Sequence, residues 1–183
     1  MRKTVVTFGL LSGAVSSLMM LMTVPFFDRL GFDRRGELVG YTAIVLSFLL
    51  VFFGIRSYRD NVAGGSVSFG RALAVGLLIA AVSSVCYVLT WEVIYFKLAP
   101  DFMDKYAAYA LEHARASGAT EEALRETARQ MKDLRAMLDQ PLMNALMTFV
   151  EPFPVGVVVA LVSAAVLRTK SGGVRGAELA SGR

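Results

Sequence analysis

The sequence predicts an all-α, polytopic membrane protein: a four-transmembrane-helix bundle with a helical extracytoplasmic hairpin between helices three and four. Three observations lead there. Apolar residues are gathered into four blocks, basic residues cluster at the ends of those blocks, and the one long segment between blocks carries a helical repeat of its own. Of 183 residues, 55% are hydrophobic and 19% charged, and the mean hydropathy is +0.55. Soluble domains carry about a quarter charged residues. The net charge of +4 is distributed as membrane topology encodes it, not as an aromatic-interleaved nucleic-acid patch, so no nucleic acid partner is expected.

A hydrocarbon core about 30 Å thick takes roughly 20 apolar residues as helix. The first block, about 4–27, has no charge between Lys3 and Asp28. Arg2 and Lys3 before it would also suit a secretory leader. Its apolar region is longer than a leader core and no A-x-A site follows, so it is expected to remain as a helix. The second block spans about 38–55. The third, about 72–96, contains one acid, Glu92, and the fourth, about 142–167, contains Glu151 followed by Pro152 and Pro154. Proline suits the first position of a helix, where its missing donor would be unpaired anyway. The fourth span is therefore expected to restart at Pro152, with 142–150 as a separate short segment.

Placing the N-terminus inside puts Arg2, Lys3, Arg56, Arg59, Arg71, Arg168, Lys170, Arg175 and Arg183 on the cytoplasmic side. The short outer loop then holds Arg29, Arg34 and Arg35 beside Asp28, Asp33 and Glu37. Phe26, Phe27, Tyr41, Trp91, Tyr95, Phe96, Phe149 and Phe153 would form an outer interfacial belt. Both termini are thus expected in the cytoplasm.

The segment about 97–141 reads as two helices. Phe102, Tyr106, Tyr109 and Ala110 share one helical face. Gly118 suits a helix C-terminus, and Thr120 suits the next N-cap with Glu121 and Glu122 in the first turn. Leu124, Ala128, Met131, Leu134 and Leu138 then recur at three- and four-residue steps up to Pro141. The membrane domain is taken as 1–170, and 171–183, rich in Gly and Ser, as a disordered cytoplasmic tail.

Residues 9–17 (GLLSGAVSS) and 76–84 (GLLIAAVSS) agree at seven of nine positions, 67 residues apart. A weaker echo links Val39, Gly40 and Ser47 to Val155, Gly156 and Ser163. Parallel repeats of this kind occur in small transporters. Gly9, Gly13 and Ser17, and likewise Gly76, Ala80 and Ser84, stand four apart. Small residues at that spacing let helix backbones approach, so both stripes are expected to be packing faces, with contact against one another as one arrangement.

The run Gly54-Ile55-Arg56-Ser57-Tyr58-Arg59-Asp60, then Gly64-Gly65, Ser68-Phe69-Gly70-Arg71-Ala72 and Val75-Gly76-Leu77-Leu78, is joined later by Glu151-Pro152-Phe153-Pro154-Val155-Gly156. With these motifs the chain, up to about Lys170, resembles a bacterial family of four-span membrane proteins catalogued as domain of unknown function four-one-nine-nine. The resemblance implies four helices and the inner membrane, and it carries no activity or site residues. In physical terms, Arg56, Tyr58 and Arg59 sit at headgroup level, Gly64 and Gly65 turn the chain, and Ser68 is expected to cap the third helix.

Catalytic constellations are not legible: no H-E-x-x-H, nucleophile elbow or phosphate-cradling glycine loop occurs. Cys86 is single and lies in an apolar block, and His113 reads as a surface histidine. Met19, Met20 and Met22 read as lipid-facing filler. No catalytic, metal or cofactor-binding residue is expected, and no cofactor. Glu92 and Glu151 stand out, because acids within spans are costly and are candidates for function. They form a candidate ion or proton site if they face one another in an outward cleft. The bland alternative puts Glu92, about 30 Å along the helix from Ala72, at the outer headgroups and makes Glu151 a helix cap.

The expected function is a non-enzymatic structural or accessory component of the bacterial inner membrane, surrounded by lipid and partnered by another membrane protein or a second copy. The alternative is a small ion- or proton-coupled transporter using Glu92 and Glu151. Topology reporters fused at residues 34, 62, 118 and 175 should read out, in, out and in; any other order contradicts the inside-positive assignment.

Overall fold

The computed structural model describes residues 1–24, 32 and 34–169. The expected belt residues Phe26 and Phe27, most of the short loop around Arg29, and the tail 171–183 lie outside the described residues. Within them the regular structure is helical: α1 (Arg2–Thr23), α2 (Arg34–Asn61), α3 (Phe69–Val93, continued by a π-helical turn, Ile94–Leu98), α4 (Phe102–Ala116), α5 (Glu121–Leu138), α6 (Pro141–Val150) and α7 (Pro152–Leu167). Four stretches, Arg2–Thr23, Leu38–Asn61, Phe69–Leu98 and Pro141–Leu167, are long and apolar enough to cross a membrane. The chain therefore fits a multi-pass membrane protein.

The boundaries follow local chemistry. α2 runs past Ile55 to Asn61 because its last turns are charged and self-paired, with Arg56 3.7 Å from Asp60 one turn on. Gly64 and Gly65 then take positive φ values of 67° and 83°, a conformation only glycine adopts cheaply. Ser68 occupies the N-cap position of α3, but its side chain makes no capping bond. The expected cap is corrected accordingly. The chain is secured there by its neighbour: Val67 N–H donates to Thr169 Oγ1 at 2.8 Å, and Thr169 N–H donates back to Val67 C=O at 3.1 Å. That reciprocal clamp ties the end of the fourth span to the start of the third. The fourth span breaks where proline requires it, between Val150 and Pro152.

α3 is the hub. It packs against α1, α2, α6 and α7, while α2 also touches α1 and α7. Gly9 lies against Val82 and Gly13 against Cys86, and Thr90 Oγ1 donates to Ser17 Oγ at 2.7 Å. These pairs keep one offset of 73 residues, which only parallel helices can do. α3 and α7 run antiparallel, with Gly76 on Ala160 and Gly156 on Ala80. The two small-residue stripes therefore do not face one another: the α1 stripe packs on α3, and Gly76 and Ala80 pack on α7. The 67-residue sequence offset is not the contact register. Gly40 and Gly156 are also unlike in contact, since a Cβ on Gly40 would meet nothing within 4 Å.

The approaches are close. A Cβ on Gly13 would lie 2.5 Å from Cys86 Cβ, and one on Gly156 2.8 Å from Ala80 Cβ. Below them the core is apolar and dense, with Val51, Ile55, Val75, Ile79, Ala160 and Ala164 fully buried. Gly13→Leu or Ala80→Leu should lower the melting temperature in detergent, with a loss of about 1–3 kcal/mol or more for overpacking. Leu18→Ile, on a face that is 59% exposed, should leave it unchanged; equal tolerance of all three would contradict this packing.

Candidate functional site

The sequence around residues 97–141 folds as its periodicity dictates. Gly118, at φ 78°, ends α4, and the Thr120 hydroxyl accepts from Ala123 N–H at 3.3 Å to cap α5. Asp101 precedes α4 but does not cap it. Its carboxylate is taken by Lys105 at 3.0 Å, and that hydrogen bond holds its pKa below the ordinary value. Arg135 on α5 reaches Asp104 on α4, which fixes the two helices against each other.

A polar network then docks this pair onto the bundle. Asn144 on α6 is completely buried. Its Oδ1 accepts from Trp91 Nε1–H at 3.1 Å and from Thr148 Oγ1 at 3.2 Å, and its Nδ2 donates to the Leu138 carbonyl at 3.0 Å. One carboxamide thus joins α3, the end of α5, and α6. The π-helical turn buries Tyr95, and the Tyr95 hydroxyl donates to Asp139 at 3.0 Å.

These ties hold α4 over the ends of α1, α2 and α3 and leave a cavity of about 880 Å³ between them. Its wall is rich in rings: Phe32, Tyr41, Tyr87, Trp91, Phe102, Tyr106 and Tyr109 all line it. Phe32 is edge-on to Phe102 and Tyr106, with centroids 5.4 and 5.3 Å away, and Trp91 is edge-on to Phe102 at 5.0 Å. The expected outer belt is corrected at Tyr95, which is buried; Tyr41, half exposed, and Trp91 also line the cavity. Met19 and Met20 also line it and are not lipid-facing filler, because the end of α1 borders this gap; Met22 is 64% exposed. His113 is exposed, as on a surface, and stands at the cavity wall next to Tyr109.

Glu151 lines the cavity and Glu92 does not. The two carboxylates are therefore not brought together there. Glu151 sits at the α6–α7 break, yet its side chain caps no backbone N–H of α7. It accepts a hydrogen bond from the Tyr87 hydroxyl at 3.2 Å instead. Glu92 Oε1 is a buried atom with no hydrogen-bond partner, as is Ser84 Oγ. Beneath the cavity, Ser16, Ser47 and Ser83 border a narrow seam with Tyr87 and Pro152. Ser12 donates to the Ser47 carbonyl at 2.8 Å and shares a hydrogen bond of 2.9 Å with Ser83. The polar line ends there, on the apolar core. Among the described residues no group of three His, Cys, Asp or Glu could hold a metal ion.

Asn144 and Tyr87 escaped the sequence reading. Asn144 is the one carboxamide in the fourth span, and the cost of burying it unpaired was the available signal. Tyr87 precedes Trp91 by one helical turn, so a shared face was legible, though not what it faces.

The family model described as protein of unknown function (DUF4199) matches residues 7–169, and the chain belongs to that family. Neither a curated protein nor a solved structure matches it.

Asn144→Leu keeps the branching of the side chain and orphans the Trp91 indole N–H and the Leu138 carbonyl. It should cost about 1–3 kcal/mol of stability, read as a lower melting temperature in detergent. Thr148→Ala, which removes one donor to the same oxygen, should cost less. A neutral Asn144→Leu would show that the network does not hold α5 and α6 in place.

Proposed function

We propose that the protein is a non-enzymatic component of a bacterial inner membrane that holds a small amphipathic ligand in the cavity at its outer end. In this reading both termini are cytoplasmic, and α4 and α5 lie outside the bilayer. The observation that carries it is the cavity: about 880 Å³, within the range of small-molecule sites, with apolar and aromatic walls and a few polar groups. The serine and threonine hydroxyls at its wall have structural acceptors, Ser16 on Gly13, Thr23 on Met20 and Thr148 on Asn144. That favours a holding site over a nucleophile. The apolar core below, including Val51, Val75 and Ile79, favours entry from the outer end.

Trp91 is the one tryptophan of the chain and lines the cavity, so its fluorescence reports occupancy. In lipid nanodiscs, a panel of small aromatic probes of positive, zero and negative charge should include at least one that changes Trp91 emission saturably. Ala43→Phe, which adds a ring at the cavity wall, should abolish that change. Probes that never saturate, or that respond equally in Ala43→Phe, would overturn the ligand site.

A second reading, a small ion- or proton-coupled transporter, draws on one arrangement. Glu151 is joined through Tyr87 to a seam bordered by Ser16, Ser47 and Ser83 that leads toward the middle of the bundle. Glu92 lies outside that line. Flux into liposomes should then depend on Glu151, and no flux under any ion gradient would remove this reading.

A further inference from the structure

We infer that the cavity selects organic cations: quaternary ammonium or phosphonium groups, or protonated amines, that carry aromatic or other apolar substituents. The inference rests on the ligand-holding reading above and names the ligand's chemistry.

The charge of the wall comes first. Among the described lining residues Glu151 is the one group with a formal charge at neutral pH, and no lysine or arginine lines the cavity with it. Its hydrogen-bond partner is a neutral phenol, Tyr87, and no arginine or lysine pairs with it among the described residues. A carboxylate set at such a wall gains most from a cation brought in from outside. An anionic ligand would meet that carboxylate with no lysine or arginine at the described wall to offset it.

The rings point the same way. The faces of tyrosine and tryptophan are negative and attract a cation placed within about 6 Å of the ring centroid. Tyr41 and Tyr87 line the cavity, and neither is in ring-to-ring contact among the described residues. Tyr41 is half exposed, and Trp91, Tyr106 and Tyr109 line the same space. Met19, Met20 and Met147 add polarisable sulfur, which adapts to irregular apolar shapes.

Coordination disfavours a bare divalent metal ion. A bare calcium ion takes six to eight oxygen ligands and magnesium about six, whereas the described wall carries one carboxylate. A hydrated metal ion gains little from π faces. An organic cation with apolar substituents matches both the carboxylate and the rings, and a volume of about 880 Å³ accommodates it.

The test is a charge series on the full chain in nanodiscs of neutral lipid. Benzyltrimethylammonium and neopentylbenzene have nearly the same shape and differ by the charge; tetraphenylphosphonium and tetraphenylborate have the same shape with opposite charge. Binding is read by equilibrium dialysis against empty nanodiscs and by Trp91 emission. The expected result is saturable binding of both cations and at least about ten-fold weaker binding of the neutral and anionic counterparts.

Glu151→Gln keeps the acceptor for Tyr87 and removes the charge. It should weaken cation binding roughly ten- to a hundred-fold and leave neopentylbenzene unaffected. The wild-type series decides the matter even if that variant does not fold. Equal binding of the neutral or anionic members, or cation binding that survives in a folded Glu151→Gln protein, overturns the cation assignment and leaves a ligand cavity standing. No saturable binding of any member overturns both.

Discussion

Close approach of helix backbones is the constraint on which the rest of this structure depends. Lipid tails are as apolar as leucine, so helices gain nothing by merely hiding hydrophobic side chains from their surroundings. They associate where small residues permit dense contact. Gly9 and Gly13 let α1 close on α3, while Gly76 and Gly156 do the same between α3 and α7. Because both approaches use α3, that helix becomes the hub, and the bundle is organised around it.

The same constraint explains where the cavity is. The small-residue contact of α1 with α3 ends near Ser17 and Thr90. Beyond it the chain offers methionines and aromatic rings, which fill space loosely and leave a gap at that end. α4 lies over the gap, held by chemistry of a different kind: a buried carboxamide at Asn144, the Tyr95–Asp139 bond and edge-on rings. Dry packing in the lower half and a polar, aromatic upper half give the molecule two unlike ends. The carboxylate of Glu151 falls at their junction because the proline that follows it breaks the fourth span at that level. The break exposes a charge that a continuous helix would have carried at considerable cost.

Legibility differed by type of information. The four spans, the two helices between the third and fourth, the turn at Gly64 and Gly65, and the break before Pro152 were all readable. Each is a property of a short segment: hydropathy, period, positive φ, or a missing donor. The two acids were also noticed as unusual, yet their relation was not. Glu151 reaches Tyr87, 64 residues away, and Glu92 has no part in the same cavity. The methionines read as lipid filler, since consecutive positions on a helix point in different directions, and nothing local says which direction holds lipid.

What the sequence determined alone is the class of object and the length and order of its helices, because the bilayer imposes both through backbone hydrogen bonding and hydrophobic thickness. What only the tertiary structure decided is which faces meet. The stripe on α1 and the stripe on α3 are nearly the same nine residues, yet one packs on Val82 and Cys86 and the other on Gly156 and Ala160. A stripe of small residues specifies that a neighbour will come close; the neighbour's identity depends on volumes and hydrogen bonds summed over the whole bundle. The cavity and its single described carboxylate are products of that sum, and no segment of the chain contains them.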